Sequence, residues 1–400
     1  MVLFDFKTIF FKTIIETFWK AKEVFNINFY AMKTQIILLG LIFSFAVLGS
    51  CSDDKDPIEL ESLSKLENKE IVSESLKPNF MDNSELRKIQ IYIPPGYDNN
   101  LSENYPVVYL LHGLPFSEKS FTDPELWVPW IGAPMPFVAA PDFPEVGFRE
   151  WVDGLIEIGE IEPMIIVMPD ATTNNYGFSM YTNSVLTGGF EDYIVNDLVN
   201  YIDSNYRTID SNDGRALIGT SQGGYAAIKL GMIHPNKFSV VASHTGLLYL
   251  DGVLSMGEMI AAENPDGFIG PDPAKFLTSA LYAFSAAWSP NLNNPPWMVD
   301  LPINDFGTVL PEIRDKWLKH DAFTMLDDPE YLNNIRLLNG IYLDAGNQDE
   351  LMMNQMADAF AAKLTAFGVS HTYQNFDGGH FSKLFSRLEI SFKFCSDRMN

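Results

Sequence analysis

The pentapeptide Gly219-Thr220-Ser221-Gln222-Gly223 has the form G-x-S-x-G. Alone the pattern is weak, because it also arises in Gly/Ser turns without chemistry. Its surroundings make it informative. The apolar run Ala216–Ile218 precedes it, and a helical pattern over Tyr225–Ile233, stopped by Pro235, follows it. This strand–turn–helix setting lifts a serine onto a sharp turn with its hydroxyl exposed at the carboxyl edge of a sheet. Glycines on both sides let strand and helix approach closely. The Gln222 N–H and the helix N-terminus then face a developing oxyanion.

A serine hydroxyl is a poor nucleophile without a base. In this setting the chain order is Ser, then acid, then His. Of the six histidines, only His320, His371 and His380 come late enough. His320 falls inside a long excursion. His371 opens the strand pattern HTYQNF and is second choice. His380 follows Phe376-Asp377-Gly378-Gly379 in the loop after that strand and is the expected base. The acid is expected from the loop after Gly340–Leu343. There Asp349 can reach the far side of an imidazole, whereas Asp344, at the strand end, suits capping the turn. A second oxyanion donor belongs after Val107–Leu111, in His112-Gly113-Leu114-Pro115. The Leu114 N–H is the expected donor, and His112 is expected to hold the loop by hydrogen bonds.

These residues need a scaffold. The continuous apolar runs Val107–Leu111, Met164–Met168, Ala216–Ile218, Ser239–Ala242 and Gly340–Leu343 read as strands buried on both faces. Lys88–Ile93 alternates like a half-buried strand and is ended by Pro94-Pro95-Gly96. Helical patterns lie between, as in Glu191–Ser204 with Ile194, Leu198 and Ile202 four apart, and in Leu351–Phe367. The predicted fold class is α/β, a mostly parallel sheet with helices on both faces. Residues 57–80 read as a linker leading to the first strand. Residues 247–335 separate two core strands by far more than one helix requires and carry Trp288, Trp297 and Trp317. Such an insertion serves as a lid or pocket wall, or as a structural embellishment packed on the body.

The composition fits this scaffold. Of 400 residues, 46% are hydrophobic and 13% aromatic, enough for a large core, which excludes a disordered chain. A net charge of −25 repels phosphate backbones and argues against nucleic-acid partners. Two cysteines, Cys51 and Cys395, exclude a disulfide-rich scaffold and a four-cysteine zinc site. No HExxH, EF-hand or Cys/His cluster points to a metal, and no cofactor is implied.

The N-terminus reads as an address. Residues 36–47, IILLGLIFSFAV, are uncharged but shorter than the roughly 20 residues of a membrane span. Lys33 precedes them and small residues follow, the layout of a secretory signal. Leu48-Gly49-Ser50-Cys51 resembles a bacterial lipobox, which implies lipidation of Cys51. The acidic run Ser52–Asp56 resembles the surface-export signal of some Gram-negative lipoproteins, and is a solvated tether in any case. The expected organisation is therefore an upstream extension over 1–31, a signal peptide over 32–50, a tether over 51–65 and a domain over 66–400. Loss of residues 1–50 removes five lysines and three acids, which deepens the net charge from −25 to −27. The expected location is the outer membrane, through a lipid anchor and exposed at the cell surface.

The stretches IYIPPGY, YPVVYLLHG, PMIIVMPDA, MYTNS with FEDYIVNDLVNYIDSNYRT, GTSQGGYAAI, YLDAGNQDEL and FDGGH together resemble the esterase D-like "putative esterase" family of α/β-hydrolases. They spread over most of residues 86–395. The resemblance implies an α/β-hydrolase fold, Ser221, Asp349 and His380 as a triad, and Leu114 and Gln222 as oxyanion donors. The family includes carbohydrate esterase family 1 enzymes, S-formylglutathione hydrolases, siderophore esterases and mycolyltransferases. The long 247–335 excursion departs from its short members, so substrate choice does not carry over. The expected function is a serine carboxylesterase acting on a small-molecule or glycan ester. The rivals are an acyltransferase on the same triad and a glycan-binding lipoprotein whose triad has decayed.

Overall fold

The computed structural model describes residues 63–399 apart from Pro115 and residues 129–139. The upstream extension, the signal peptide, Cys51 and nearly all of the tether lie outside these residues.

Ten strands form in chain order: β1 (Lys65–Val72), β2 (Leu86–Ile93), β3 (Val107–Leu111), β4 (Ile165–Pro169), β5 (Asn183–Ser184), β6 (Gly188–Gly189), β7 (Arg215–Thr220), β8 (Val240–His244), β9 (Gly340–Gly346) and β10 (Thr372–Phe376). The main sheet has eight strands in the order β1-β2-β4-β3-β7-β8-β9-β10, and β5 and β6 pair as a separate ribbon. Neighbours from β4 to β10 are parallel, whereas β2 is antiparallel to both β1 and β4. Strands buried on both faces call for apolar residues, and the central pair β3 (VVYLL) and β4 (IIVMP) is apolar throughout. Val107, Tyr109 and Leu111 of β3 enter the core on one side, Val108 and Leu110 the core on the other. One face is covered by α1 (Phe148–Glu157) and the C-terminal helix Leu384–Ser396. The other carries α2 (Val199–Asn205), entered through a π-helical stretch over Tyr193–Leu198, and α3 (Gln222–Ile233). This is the α/β-hydrolase architecture.

Residues 57–80 are not wholly a linker. β1 begins at Lys65, one residue inside the expected tether, and pairs with β2 along its whole length. As an antiparallel edge strand it keeps only Ile71 buried, so KLENKEIV lacks the apolar run of a central strand.

Between β8 and β9 the chain forms α4 (Leu250–Leu254), α5 (Gly257–Ala262), α6 (Phe276–Trp288), α7 (Pro311–Leu318), α8 (Ala322–Met325) and α9 (Pro329–Ile335). The sheet resumes with β9, followed by α10 (Met353–Ala366), β10 and α11 (Leu384–Ser396). Polar bonds tie the excursion to the body and hold it together internally. The Tyr225 hydroxyl of α3 donates to the His320 carbonyl at 2.8 Å. The Asp321 carboxylate caps α8 and accepts from the Leu250 N–H at 2.9 Å. Trp288 and Trp317 are buried against each other in the core, and His320 stacks on Trp288.

One row of the sheet sets up the site. Thr220 pairs with His244, His244 with Asp344, and Asp344 with Gln374; β7 and β8 end at this row, at the carboxyl edge, while β9 and β10 run two residues further. Ser221 and the loops after β9 and β10 emerge from that edge.

Candidate active site

Ser221 sits between β7 and α3 with φ 55° and ψ −116°. A non-glycine residue in this region is strained, and surrounding contacts must hold it there. They do. The Ser221 N–H donates to the His244 carbonyl at 2.8 Å, and the Ser221 carbonyl accepts from Tyr225 N–H at 3.0 Å. A Cβ at Gly219 would overlap the Gly223 carbonyl, and one at Gly223 the Leu111 carbonyl, so strand and helix meet backbone to backbone. Gln222, at the first position of α3, has its N–H outside the helical hydrogen-bond ladder. Its side-chain amide is buried and has no protein partner.

The loop after β3 folds over the same point. A Cβ on Gly113 would stand 3.0 Å from the Ser221 Cβ, which brings Leu114 to the serine. His112 holds this loop. Its Nδ1 lies 2.9 Å from the Gly113 carbonyl, its Nε2 accepts from the Ala171 N–H at 3.0 Å, and its own carbonyl accepts from the Tyr181 hydroxyl. Burial pushes its imidazole below the usual histidine range, so it stays neutral and serves as both donor and acceptor.

The loops after β9 and β10 are laced together. Asn347 N–H donates to the Phe376 carbonyl and Gln348 N–H to the Gly378 carbonyl. A Cβ on Gly346 would overlap the Gly378 carbonyl. Across this seam His380 Nδ1 faces Asp349 Oδ2 at 2.7 Å, both side chains buried. Burial pushes the Asp349 carboxyl up. The His380 imidazole and the N–H groups of Leu351 and Met353 outweigh this and hold it below the usual carboxylate range. With Nδ1 engaged by the carboxylate, the proton belongs there and Nε2 carries the lone pair. Nε2 is buried and has no protein partner. Ser221, His380, Leu114 and Gln222 line one cavity.

His371 lies elsewhere, half-buried before β10 with Nδ1 on the Val369 carbonyl. Asp344 does not cap a turn. It accepts from Arg387 at 2.8 Å, His244 Nδ1 at 2.7 Å and the Tyr342 hydroxyl at 3.2 Å, all within the core. Arg387 also donates to the Ser382 and His380 carbonyls, so this network braces the loop that carries His380. The sequence reading missed His244, Arg387 and Ser391, which lie far from Asp344 in the chain. It also missed Glu350, whose carboxylate accepts from the His380 N–H at 2.9 Å.

The cavity's remaining wall comes largely from the excursion. Phe276, Leu277, Ala280, Leu281 and Phe284 of α6 line it, with Val253, Met256 and Ile260 from α4, α5 and the turn between them. An open cleft of about 900 Å3 shares Leu114 and Phe276 with the cavity and is walled by Tyr176, Phe178, Trp297, Asn175 and Ser279.

Fold and elbow together define an α/β-hydrolase with a candidate nucleophile–base–acid constellation at the sheet edge. The chain belongs to the family described as "Putative esterase", whose model matches residues 83–388. It is 27% identical over 158 residues to an esterase of Mycobacterium tuberculosis, a match covering 40% of this chain and 28% of that protein. It is 24% identical over 160 residues to the diacylglycerol acyltransferase/mycolyltransferase Ag85A of Mycobacterium leprae, covering 38% of this chain and 43% of that protein. The chain thus spans less than half the length of these relatives. Among solved structures it resembles a ferulic acid esterase, with a TM-score of 0.56 at 20% identity, over 85% of this chain and 100% of the other.

Proposed function

We propose that the protein is a serine carboxylesterase with Ser221 as nucleophile, His380 as base and Asp349 as orienting acid. The observation that carries this reading is the convergence of a strained Ser221 and a buried His380–Asp349 pair on one cavity. Ser221 Oγ attacks the ester carbonyl carbon while His380 Nε2 takes its proton. The carbonyl oxygen, now negative, rests on the N–H groups of Leu114 and Gln222. The C–O bond to the alcohol breaks as His380 returns the proton to the leaving oxygen, which yields an acyl-serine. Water, deprotonated by His380, then releases the acid. Asp349 keeps the imidazole in the required tautomer and stabilises the imidazolium without itself taking the proton.

A carbohydrate alcohol suits the open cleft beside Leu114, because its aromatic rings offer faces to the C–H side of a sugar while Asn175 and Ser279 offer polar groups. Transfer to an acceptor alcohol is the second reading, favoured by the apolar cavity, which can shelter an acyl-enzyme from water. The apolar run over 36–47, followed by Leu48-Gly49-Ser50-Cys51, supports export as a lipoprotein of the outer membrane. The test is Ser221→Ala. It is expected to lower kcat for p-nitrophenyl esters by about 10⁶-fold and to abolish labelling by a fluorophosphonate. Unchanged turnover would remove Ser221 from the reaction. Added acceptor alcohols, with product analysis, separate hydrolysis from transfer.

A further inference from the structure

The cavity at Ser221 has two kinds of wall. Its polar side chains are those of Ser221, Gln222 and His380, all beside the reacting atoms. Every other lining side chain is apolar. On α6 the lining residues are Phe276, Leu277, Ala280, Leu281 and Phe284, spaced i, i+1, i+4, i+5 and i+8, so one face of this helix is turned to the cavity. Val253, Met256 and Ile260 close it from the excursion, Leu351 from the loop that carries Asp349 and Met353 from the start of α10.

Resting on the serine esterase reading above, we propose that this cavity holds the acyl half of the ester and that this half is an aliphatic chain. The alcohol half occupies the open cleft of Tyr176, Phe178 and Trp297. Two physical arguments assign the halves. After the first step the alcohol must leave, while the acyl group stays bonded to Ser221 Oγ. The less open of the two spaces suits the half that stays, and the more open cleft the half that departs. The apolar wall also favours methylenes and disfavours polar substituents. A phenolic hydroxyl on the acyl group would be desolvated among Leu, Val, Ile and Phe side chains without a partner. Among the described residues lining the cavity the one side-chain amide is that of Gln222, next to Ser221 in the chain. The excursion therefore sets acyl specificity, and it favours aliphatic over feruloyl groups.

The test uses two series of esters on the full domain with its insertion. In one, the acyl chain runs from acetate through hexanoate to decanoate on a constant p-nitrophenol. In the other, acetate is held and the alcohol lengthened. Expected is a rise in kcat/KM of up to about fourfold per acyl methylene until the cavity is full, with little dependence on the alcohol's length. Alkyl fluorophosphonates of the same lengths should inactivate Ser221 in the same order. Ala280→Trp should lower the octanoate-to-acetate ratio by roughly a hundredfold, and Phe284→Ala should move the optimum to longer chains. The two variants push in opposite directions, and the inactivation series on the unaltered protein remains informative if either fails to fold. A flat acyl series, a preference for feruloyl over octanoyl esters, or dependence on alcohol length would each overturn the assignment and leave the esterase reading intact. Absence of both turnover and a phosphonate adduct on Ser221 would overturn the esterase reading itself.

Discussion

His244 Nδ1 lies 2.7 Å from Asp344 Oδ2, the same separation as His380 Nδ1 from Asp349 Oδ2. The two pairs differ in what the far ring nitrogen meets. In His244 it is bonded to the buried Ser391 hydroxyl at 2.9 Å, whereas in His380 it is unpartnered and the residue lines the cavity beside Ser221. Among the described residues there are thus two such histidine–aspartate pairs, one closed and one open to chemistry.

The pairs should separate in mutagenesis. Asp349→Asn keeps the shape but offers an amide N–H where Nδ1 needs an acceptor, so the tautomer is wrong. The expected loss is about 10⁴-fold in kcat, with a small shift in the unfolding midpoint. Asp344→Asn leaves the buried Arg387 charge without its counter-ion, and a loss of about 3–5 kcal/mol in stability is expected. Urea unfolding and ester turnover measured on both variants check this. Equal losses of activity at matched stability would place Asp344 in the reaction.

The glycines of the elbow are needed for space, and a helix glycine elsewhere is not. A Cβ at Gly223 would overlap the Leu111 and His112 carbonyls, which are backbone and cannot swing away. Gly223→Ala should therefore cost about 3 kcal/mol or more and disturb the serine's setting. Gly154, within α1, has open space around its Cβ position. Gly154→Ala should stabilise by about 0.4–1 kcal/mol through helix propensity and a less flexible unfolded chain. Thermal unfolding of the two variants provides the comparison.

Most of the scaffold was legible because its strands are buried on both faces, which forces runs such as VVYLL and MIIVM. The elbow was legible because backbone contact demands glycine at positions 219 and 223. β1 was not, since an edge strand facing water tolerates Lys, Glu and Asn at most positions. The cavity was not, because FLTSALYAFSAAW is apolar at most positions, on the core side and the cavity side alike. Core-facing and cavity-facing residues of α6 then look alike, and only the packing tells Ala280 from Ala286. The Asp344 network was hidden because its members meet across 100 residues to His244 and 43 to Arg387.

A second buried charge cluster gives a pH dependence with a definite sign. Glu191 bonds Lys229 at 2.9 Å and His234 at 3.0 Å. Burial pushes its carboxyl up, but the hydrogen bond from His234 and the charge of Lys229 outweigh this and hold it at about 2. An unfolded glutamate titrates near about 4.3. The folded carboxyl is the stronger acid, so its stabilisation is fully present above that value and is lost as pH falls toward 2. Glu191→Gln should destabilise by about 3 kcal/mol at pH 7, and the gap to the parent protein should close between about pH 4 and 2. Denaturation midpoints across that range measure it. A gap that widens in acid would reverse the assignment.

The two cysteines provide a chemical test of the proposed address. Cys395 on α11 is fully buried, and burial pushes its thiol well above the usual range, so the thiolate that reagents attack is scarce and shielded. No thiol of the described domain should react with a disulfide reagent in the native state. On denaturation the outcome depends on Cys51. If its sulfur carries lipid, as the signal over 32–50 implies, one thiol per chain should titrate in protein isolated from membranes. Two should titrate in protein made without export. Two thiols in the membrane-isolated form would overturn the lipoprotein reading, whereas one there and two in the unexported form would place the lipid on Cys51, because Cys395 is common to both.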